Sequence, residues 1–502
     1  MDMTDTWFTE AERSEMATPV IGRIKQAMKQ GKDQEAIALC DQLKNERVLL
    51  HDFFADTWAA LLTWVCRNIG EEQVGDLHEY CMQQCLWRQY YDFLINVEQD
   101  KAVETALWAN RAWVSHSCGG AGEHGGAFSV LEDDEKFTFI MDPCGSGGRI
   151  LRKGRYESPY DFARISRPYP WTYGRENFPI YCVHCPFMFS ILPVSQKGFI
   201  KFAIDSPIEP PEPCKWYFYK DRNDVPESYY AQIGATKRPV QEPWRPKRDR
   251  YFTPEELEEM AKPTYLIIRG SLEAGRRLKA KLTAFKMGGE FLYLHDLYVN
   301  LIVSGMDYIA REAGEESLGQ TIDYIHGTCV QRQILGQLEG MDRREQLRFI
   351  IHYLFLADTC GGAGLPRGKF SVHEDENSVS IILDPCASGG RLLRHGSYTP
   401  MSAARRAQER AENLILKAGV KLPIPPSFFK FIAGPTFDVI GGKRKPTGIG
   451  VTRQVFPWSG KRTGLPYYCA FCTSLARHSG MDWLEVNPPS ERRQPCVWSA
   501  RK

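Results

Sequence analysis

The apolar pattern in the N-terminal part of the chain is helical. Residues recur at intervals of three and four, as the buried face of an amphipathic helix requires: they are His51, Phe54, Trp58, Leu61, Leu62 and Val65. A second helix is predicted after Gly70, running through Leu77 to Leu94, and a third from Ala102 to Trp113. No Pro or Gly cluster interrupts this region, so the pattern predicts helices throughout it.

Further along the chain, the spacing of apolar residues changes from the period of a helix to the alternation of a strand. The segment FSVLEDDEKFTFIMD, from Phe128 to Asp142, reads as two short strands around an acidic turn. FSVHEDENSVSIILD, from Phe370 to Asp384, repeats the same pattern. Runs of helices followed by runs of strands are typical of an α+β fold.

The two strand pairs belong to a longer internal repeat. Cys118 to Tyr156 and Cys360 to Tyr398 align without a gap, and 23 of 39 positions are identical. Further residues match outside this block, in both directions: His51-Asp52 with His295-Asp296, Cys85 with Cys329, Arg88 with Arg332, and Cys214 with Cys496. The chain is therefore interpreted as a tandem duplication, with each unit helical first and ending in a small β-rich four-cysteine module.

The repeat sets the expected domain boundaries. The first unit is placed at 15–235 with its cysteine module at 116–216, a Pro- and charge-rich linker at 236–254, and the second unit at 255–502 with its module at 358–498. Tyr156 and Pro170 are 14 positions apart, whereas their counterparts Tyr398 and Pro457 are 59 apart, which leaves 45 extra residues, at about 402–450. This insertion predicts either a solvent-exposed addition or a lid beside the second module. In the second case His295 would matter more than His51.

Four cysteines recur in each module. Two of each set form a C-x2-C pair, whose turns resemble the knuckles of zinc-ribbon and rubredoxin proteins, and the resemblance is confined to these turns. Four thiolates suit a tetrahedral Zn2+ site, with an iron–sulfur cluster as the alternative. Either of two further matched pairs, Cys214 with Cys496 or Cys85 with Cys329, could replace a ligand or act as a nucleophile. The other reading is that all these cysteines are buried apolar residues. The predicted ligands are Cys118, Cys144, Cys182 and Cys185, then Cys360, Cys386, Cys469 and Cys472.

Candidate catalytic residues are the polar residues shared by the two units: His51, His295, Arg88, Arg332, Arg149 and Arg391. Arg149 and Arg391 end a Gly-rich segment whose backbone could bind an anion, or the Arg could pair with a nearby carboxylate. Sequence neighbours on a helix point about 100° apart. We therefore expect that His51 and Asp52 do not form a dyad with each other.

Charge and composition narrow the classes of function. Lys and Arg number 63 against 62 Asp and Glu, which argues against nucleic acid as a partner. No apolar run reaches the roughly 20 residues of a membrane span, and the N-terminus does not resemble a secretory signal, so a cytoplasmic protein is expected. The sequence favours a zinc enzyme, a hydrolase or lyase, acting on a small anionic organic molecule. The alternative is a non-catalytic zinc-stapled binding or regulatory protein. In either case the chain would be an internal pseudo-dimer, and homo-oligomer formation stays open.

Overall fold

The computed structural model of the chain describes residues 6–83, 127–241, 249–352, 370–395, 450–489, 491 and 494–502. Several predicted features lie outside these residues. They are the end of the second helix, the third helix, most of the insertion, and Cys85, Arg88, Cys118 and Cys360. Within the described residues no helix is both long and apolar enough to cross a membrane.

Two series of helices follow the same order along the chain. The first series is α1 (Glu10–Met16), α2 (Val20–Gln30), α3 (Asp33–Asn68) and α4 (Glu72–Cys81). Three short helices follow it: α5 (Gly147–Arg152), α6 (Leu192–Lys197) and α7 (Glu227–Gln232). The second series is α8 (Pro254–Ala261), α9 (Thr264–Glu273), α10 (Arg277–Glu312) and α11 (Gly314–Ile325). Further helices among the described residues are α12 (Arg343–Ile350), α13 (Gly389–His395) and α14 (Tyr467–His478), and short helical turns occur besides these. The long helices α3 and α10 both have 36 residues, and the predicted helical face from His51 to Val65 lies within α3.

Two four-stranded antiparallel sheets complete the fold. The first contains β1 (Ala127–Glu132), β2 (Lys136–Asp142), β3 (Ala203–Asp205) and β4 (Cys214–Tyr219), in the order β1-β2-β4-β3. The second contains β5 (Phe370–Glu374), β6 (Ser378–Leu383), β7 (Leu484–Asn487) and β8 (Cys496–Arg501), in the equivalent order β5-β6-β8-β7. Both predicted hairpins are confirmed, and the mixture of helix and sheet agrees with the predicted α+β class. A separate pair of two-residue strands joins Arg164–Ile165 to Phe178–Pro179.

The helices of the two halves are packed together. Helix α3 contacts α9 and α11 of the second half, and α10 contacts α2 and α4 of the first. One apolar core extends through both sheets and both long helices, and a smaller one lies among α2, α9 and the N-terminal ends of α3 and α10. Each half therefore completes its core with helices from the other.

The segments that open the two halves are exchanged. The backbone N–H groups of Trp7 and Phe8 donate to Glu374 at 2.5 and 3.0 Å, and α1 packs on β5 of the second sheet. In the same way, Tyr251 and Phe252 donate to Glu132 at 2.6 and 3.1 Å, and α8 packs on β1 of the first sheet. Residues 249–252, predicted as linker, are thus held against the first sheet.

Candidate functional site

Four cysteine side chains of the first half line one small cavity. The volume of this cavity is about 20 Å3, enough for one water molecule or one ion. Cys144 follows the end of β2, and Cys214 begins β4, where Met141 pairs with it across the sheet. Cys182 and Cys185 lie in the short helical turns Ile180–Val183 and His184–Pro186. The sheet and these turns therefore bring the four cysteines to the wall of one cavity.

Backbone and side-chain N–H groups donate to two of these sulfurs. The Gly148 N–H donates to Cys144 Sγ at 2.9 Å, and Trp216 Nε1 donates to Cys214 Sγ at 3.1 Å. Such N–H···S bonds favour a thiolate over a thiol. The Gly-rich segment after Cys144 thus directs an N–H to the sulfur, as its sequence suggested.

The four thiols differ in how readily they ionise. A hydrogen bond from Cys214, acting against burial, lowers the pKa of Cys144 to about 6. Burial raises the pKa of Cys182 to about 12 and that of Cys185 well above its ordinary value. The hydrogen bond to Cys144, together with burial, likewise raises the pKa of Cys214. The negative charge of one thiolate therefore disfavours ionisation of the neighbouring thiols. A bound cation would offset this repulsion and favour the thiolate form of all four cysteines.

The second half repeats this arrangement. Gly390 N–H donates to Cys386 Sγ at 2.8 Å, and Cys496 pairs with Leu383 at the same end of the sheet. Burial raises the pKa of Cys469 well above its ordinary value, and the neighbouring thiols Cys386, Cys472 and Cys496 raise it further. The two halves thus gather equivalent sets of four cysteines.

The C-x2-C pairs are not knuckles. Cys469 and Cys472 lie in the first two turns of α14, and residues three apart on a helix share a face. Among the described residues, no three His, Cys, Asp or Glu side chains already have the arrangement of a metal site. Cys118 and Cys360, predicted as ligands, lie outside the described residues, and their role stays a prediction.

His51 and Asp52 contradict the expectation that neighbours on a helix cannot form a dyad. His51 Nδ1 lies 3.0 Å from Asp52 Oδ1, so the two side chains meet although their Cα–Cβ bonds diverge on the helix. Arg149 and Lys153 pair with the same carboxylate at 2.9 and 2.6 Å. Burial alone would raise the pKa of Asp52, but these cations and His51 outweigh it, so the pKa lies well below its usual range.

A line of hydroxyl groups extends from His51 to the cysteine cavity. Tyr298, on α10, contacts His51 Nε2 at 3.1 Å, and Tyr181 contacts Tyr298 at 2.7 Å between the two hydroxyl oxygens. Ser146, which lines the cavity, lies near Tyr181 and opposes the rise that burial causes in the pKa of the Tyr181 hydroxyl. Burial lowers the pKa of His51, so its imidazole is neutral near pH 7. In one consistent set of donors, His51 Nδ1–H donates to Asp52 and Tyr298 donates to His51 Nε2. Arg149 Nη2, which lies 3.0 Å from His51 Nδ1, then donates to Asp52 Oδ1 and not to the imidazole.

The second half does not repeat this line. The residue equivalent to Tyr298 is Phe54, whose ring packs edge-on against His295 with 5.8 Å between the ring centroids. Phe54 has no hydroxyl to donate. Asp296 and Arg391 would complete the equivalent group, but their side chains lie outside the described part of the structure.

A second buried polar group lies one helical turn from Asp52. Asp56 pairs with Arg155 at 3.3 Å and accepts from the side-chain amide of Gln333, which belongs to the second half. Burial raises the pKa of Asp56 to about 7. Predicted candidate Arg332 lies nearby, with its guanidinium 5.9 Å from the Tyr160 ring centroid, and the described lining of the cysteine cavity does not include it.

Sequence reasoning missed the residues that link the predicted ones. Tyr298 contributes from the opposite half, 247 residues from His51. A signal was present, because Tyr298 and Phe54 occupy equivalent positions that differ by one hydroxyl. Cys214 carried the stronger signal, because it matches Cys496 and the sequence already indicates it as a possible replacement for one ligand.

Comparison with known proteins assigns neither a family nor a function to the chain. No family model, curated protein or solved structure matches the chain significantly.

Proposed function

We propose that this protein is a zinc-containing enzyme, a hydrolase or lyase acting on a small anionic organic molecule, and that its reaction takes place in the first half. One observation carries the proposal: the hydrogen-bonded line from Asp52 through His51 and Tyr298 to Tyr181, which ends near Ser146 on the wall of the cysteine cavity. A buried line of this kind has little structural purpose, because apolar packing would fill the same space at lower cost.

The line suits removal of a proton at Ser146, on the wall of the cysteine cavity. Ser146 can accept the proton of the water or substrate while it passes its own to Tyr181; Tyr181 likewise passes one to Tyr298, and Tyr298 passes one to His51 Nε2. The resulting imidazolium would lie beside the Asp52 carboxylate, which stabilises it as in other carboxylate–histidine pairs. Hydrolysis needs a proton taken from water, and elimination needs one taken from the substrate. Both reaction classes therefore remain within the proposal.

Two matching units within one chain are part of the same proposal. We attribute the equivalent sheets, the exchanged opening segments and the repeated cysteine sets to a tandem duplication that forms an internal pseudo-dimer. On this view Tyr298 reaches His51 because the partner unit supplies it. The Phe54 counterpart makes the first site the working one, although the insertion in the second unit suggested the opposite.

For the metal we propose Cys144, Cys182, Cys185 and Cys214, and their counterparts Cys386, Cys469, Cys472 and Cys496. Cys214 and Cys496 thereby take the places first given to Cys118 and Cys360. A cavity of about 20 Å3 suits a single ion better than an iron–sulfur cluster. Four thiolates would close the coordination sphere of the zinc, which would then hold the cavity wall in place.

Metal content of single-cysteine variants tests the ligand set. We expect about two zinc ions per chain in the colourless purified protein, and about one after Cys214→Ser, because three thiolates bind zinc less tightly than four. The matched control is Cys118→Ser, which should keep both ions. Elemental analysis is the measurement. Loss of one ion in Cys118→Ser and retention of both in Cys214→Ser would restore the original ligand set.

Activity of matched histidine and aromatic variants tests the reaction site. A panel of carboxylate and phosphate esters and of 2-hydroxy and 2-amino acids would be screened for hydrolysis and elimination. His51→Ala should lower the rate by at least about 100-fold, since general base catalysis typically contributes that much. Tyr298→Phe should lower it about tenfold or more.

His295→Ala is the control for these variants, and it should keep most of the activity. If His295→Ala alone abolishes turnover, the working site lies in the second half. If no substrate on the panel is turned over and metal is bound as expected, the zinc-stapled binding protein becomes the better assignment.

A further inference from the structure

The cysteine cavity is too small to hold an organic substrate, but a larger cleft opens beside it. This cleft has a volume of about 340 Å3, within the range of small-molecule sites. Ser206 lines both the cleft and the cavity, and Cys214 lies between Pro213 and Lys215, which line the cleft. A molecule in the cleft would therefore lie next to the proposed metal ligands.

The cleft contains two cations and two carboxylates. Arg175 donates from Nη2 to the Ser206 carbonyl at 2.8 Å, while its Nε is buried without a partner among the described residues. Lys215 forms no ion pair with the residues that the structure describes. Lys215 is thus available to a carboxylate, and the Arg175 guanidinium, which also lies 5.1 Å from the Phe178 ring centroid, adds positive charge beside it.

Asp205 is fixed in position opposite Lys215. The two residues are directly paired across β3 and β4, where an ion pair between them would be expected. The Asp205 carboxylate instead accepts from the hydroxyls of Tyr217 and Tyr229, at 2.9 and 3.1 Å. Glu212 supplies a second carboxylate in the lining. Opposite charges therefore line the cleft side by side without neutralising each other.

The second half offers an internal comparison. The equivalent strands pair Asn487 with Val497 where the first half pairs Asp205 with Lys215. Gln494 matches Glu212 in sequence, whereas Arg462 keeps the role of Arg175 by donating to the Pro488 carbonyl at 3.1 Å. The structural arginine is common to both halves, and the remaining charges occur in the first half alone.

We infer that this cleft binds a small zwitterion of the amino-acid class, with its carboxylate at Arg175 and Lys215 and its ammonium at Asp205 and Glu212. A ligand with a single charge would bring one set of protein charges out of water without a partner, which costs free energy. A zwitterion satisfies both sets. The inference rests on the proposed function, since it names the substrate class of that site.

Calorimetric titration of the full chain with amino acids tests the inference. The probes are the standard amino acids, with propionate and ethylamine as the matches of alanine that lack one charge each. We expect at least one amino acid to bind, and its single-charge analogues to bind at least about tenfold more weakly. If the amino acids bind no better than their single-charge analogues, or none of them binds, the inference is overturned.

Variants that copy the second half sharpen the test. Asp205→Asn and Lys215→Val should each weaken binding about tenfold or more, while Asn487→Ala, on the exposed equivalent position, should leave it unchanged. Unchanged binding in both first-half variants would also overturn the inference.

Binding and turnover together distinguish a failure of the proposed enzyme activity from a failure of the cleft assignment. Binding of an amino acid without any turnover would support the cleft while counting against the enzyme. Turnover of a substrate that lacks an ammonium group, unaffected by Asp205→Asn, would support the enzyme and reject the cleft assignment.

Discussion

Asp56 is a buried carboxyl whose protonation is coupled to folding. Its side chain contacts Arg155 and Gln333 in the interior between the two halves, and burial raises its pKa from the ordinary 3.8 to about 7. The folded protein therefore binds a proton that the unfolded chain has released between these pH values. The contribution of this carboxyl to stability is fully present below about pH 4 and is lost as the pH rises toward 7.

Replacement of Asp56 by Asn, the residue at the equivalent position 300, should flatten this pH dependence. One such group changes the free energy of unfolding by at most about 1.4 kcal/mol per pH unit. Denaturant unfolding of Asp56→Asn between pH 4 and 8 measures the change. Burial also raises the pKa of Glu46 to about 7, so part of the slope should remain. The exposed Glu79→Gln is the control, and an Asp56→Asn slope equal to that of the wild type would contradict the expectation.

Individual residues were only partly predictable from the sequence. The repeat pointed to His51 and Arg149, and the structure places them in contact around Asp52. Their remaining partner, Tyr298, comes from the other half, and helical geometry alone gave the wrong answer for the His51-Asp52 pair. Spacing along one helix carries no information about which distant hydroxyl will pack against it.

Two short helices place a glycine against a cysteine sulfur. A Cβ on Gly147 would lie 2.6 Å from Cys182 Sγ, and one on Gly389 would lie 2.5 Å from Cys469 Sγ. Such contacts are far shorter than van der Waals distance, and the sulfur ends a short, buried side chain that has little room to move. The helices α5 and α13 can approach the C-x2-C segments only because these positions lack a side chain.

Gly147→Ala should therefore destabilise the protein and disturb the first cysteine set. We expect a loss of about 1–3 kcal/mol in the free energy of unfolding, as in other overpacked cores, and a lower zinc content. The control is Gly270→Ala in α9, where a Cβ meets no atom within 4 Å. That change should be neutral or stabilise by up to about 1 kcal/mol. Equal stability of the two variants, by denaturant unfolding, would contradict the tight approach.

Helices and strands were predictable from the sequence wherever the local pattern of apolar residues determines them. The alternation around Phe128 to Asp142 predicted both strands, and the helical spacing predicted α3. The C-x2-C pairs were misread as turns, because i and i+3 positions converge on a helix as well as in a knuckle. Pairing of β2 with β4 across a long sequence separation, which brings Cys214 to Cys144, leaves no local trace.

The whole molecule depends on the exchange of segments between its halves. The two carboxylates Glu132 and Glu374 each accept from the backbone of the opposite half, and Lys220 and Lys502 pair with them at 3.0 and 2.7 Å. The repeat in the sequence indicated two similar units, but similarity cannot say which copy of a segment packs on which sheet. Either unit could be closed by its own segment or by that of its neighbour.

A fragment of residues 1–241 tests this interdependence. It lacks α8, which covers β1, and it lacks the helices that complete its core. In the intact chain, residues 7–16 pack on the sheet of the other half. In the fragment, residues 7–16 of one copy can therefore take the position of α8 on the sheet of a second copy. We therefore expect the fragment to form a dimer by mutual exchange.

Light scattering after gel filtration would measure the mass of this fragment. Glu132→Ala should weaken the dimer, because the backbone groups of the exchanged segment lose their acceptor. A stable, folded monomer of the fragment would show that each half can close on itself.

The exchange also has a consequence for synthesis. Trp7 and Glu374 are 367 positions apart, and ribosomes add about 5–20 residues per second. The opening segment therefore waits roughly 20–70 s for its acceptor to be made. During that interval the apolar side chains of Trp7, Phe8 and Met16, which the folded protein packs into its core, are available to chaperones or to another nascent copy of the same chain. Closely spaced ribosomes on one message would favour contact between two nascent copies. The yield of correctly folded protein should therefore depend on translation rate as well as on sequence.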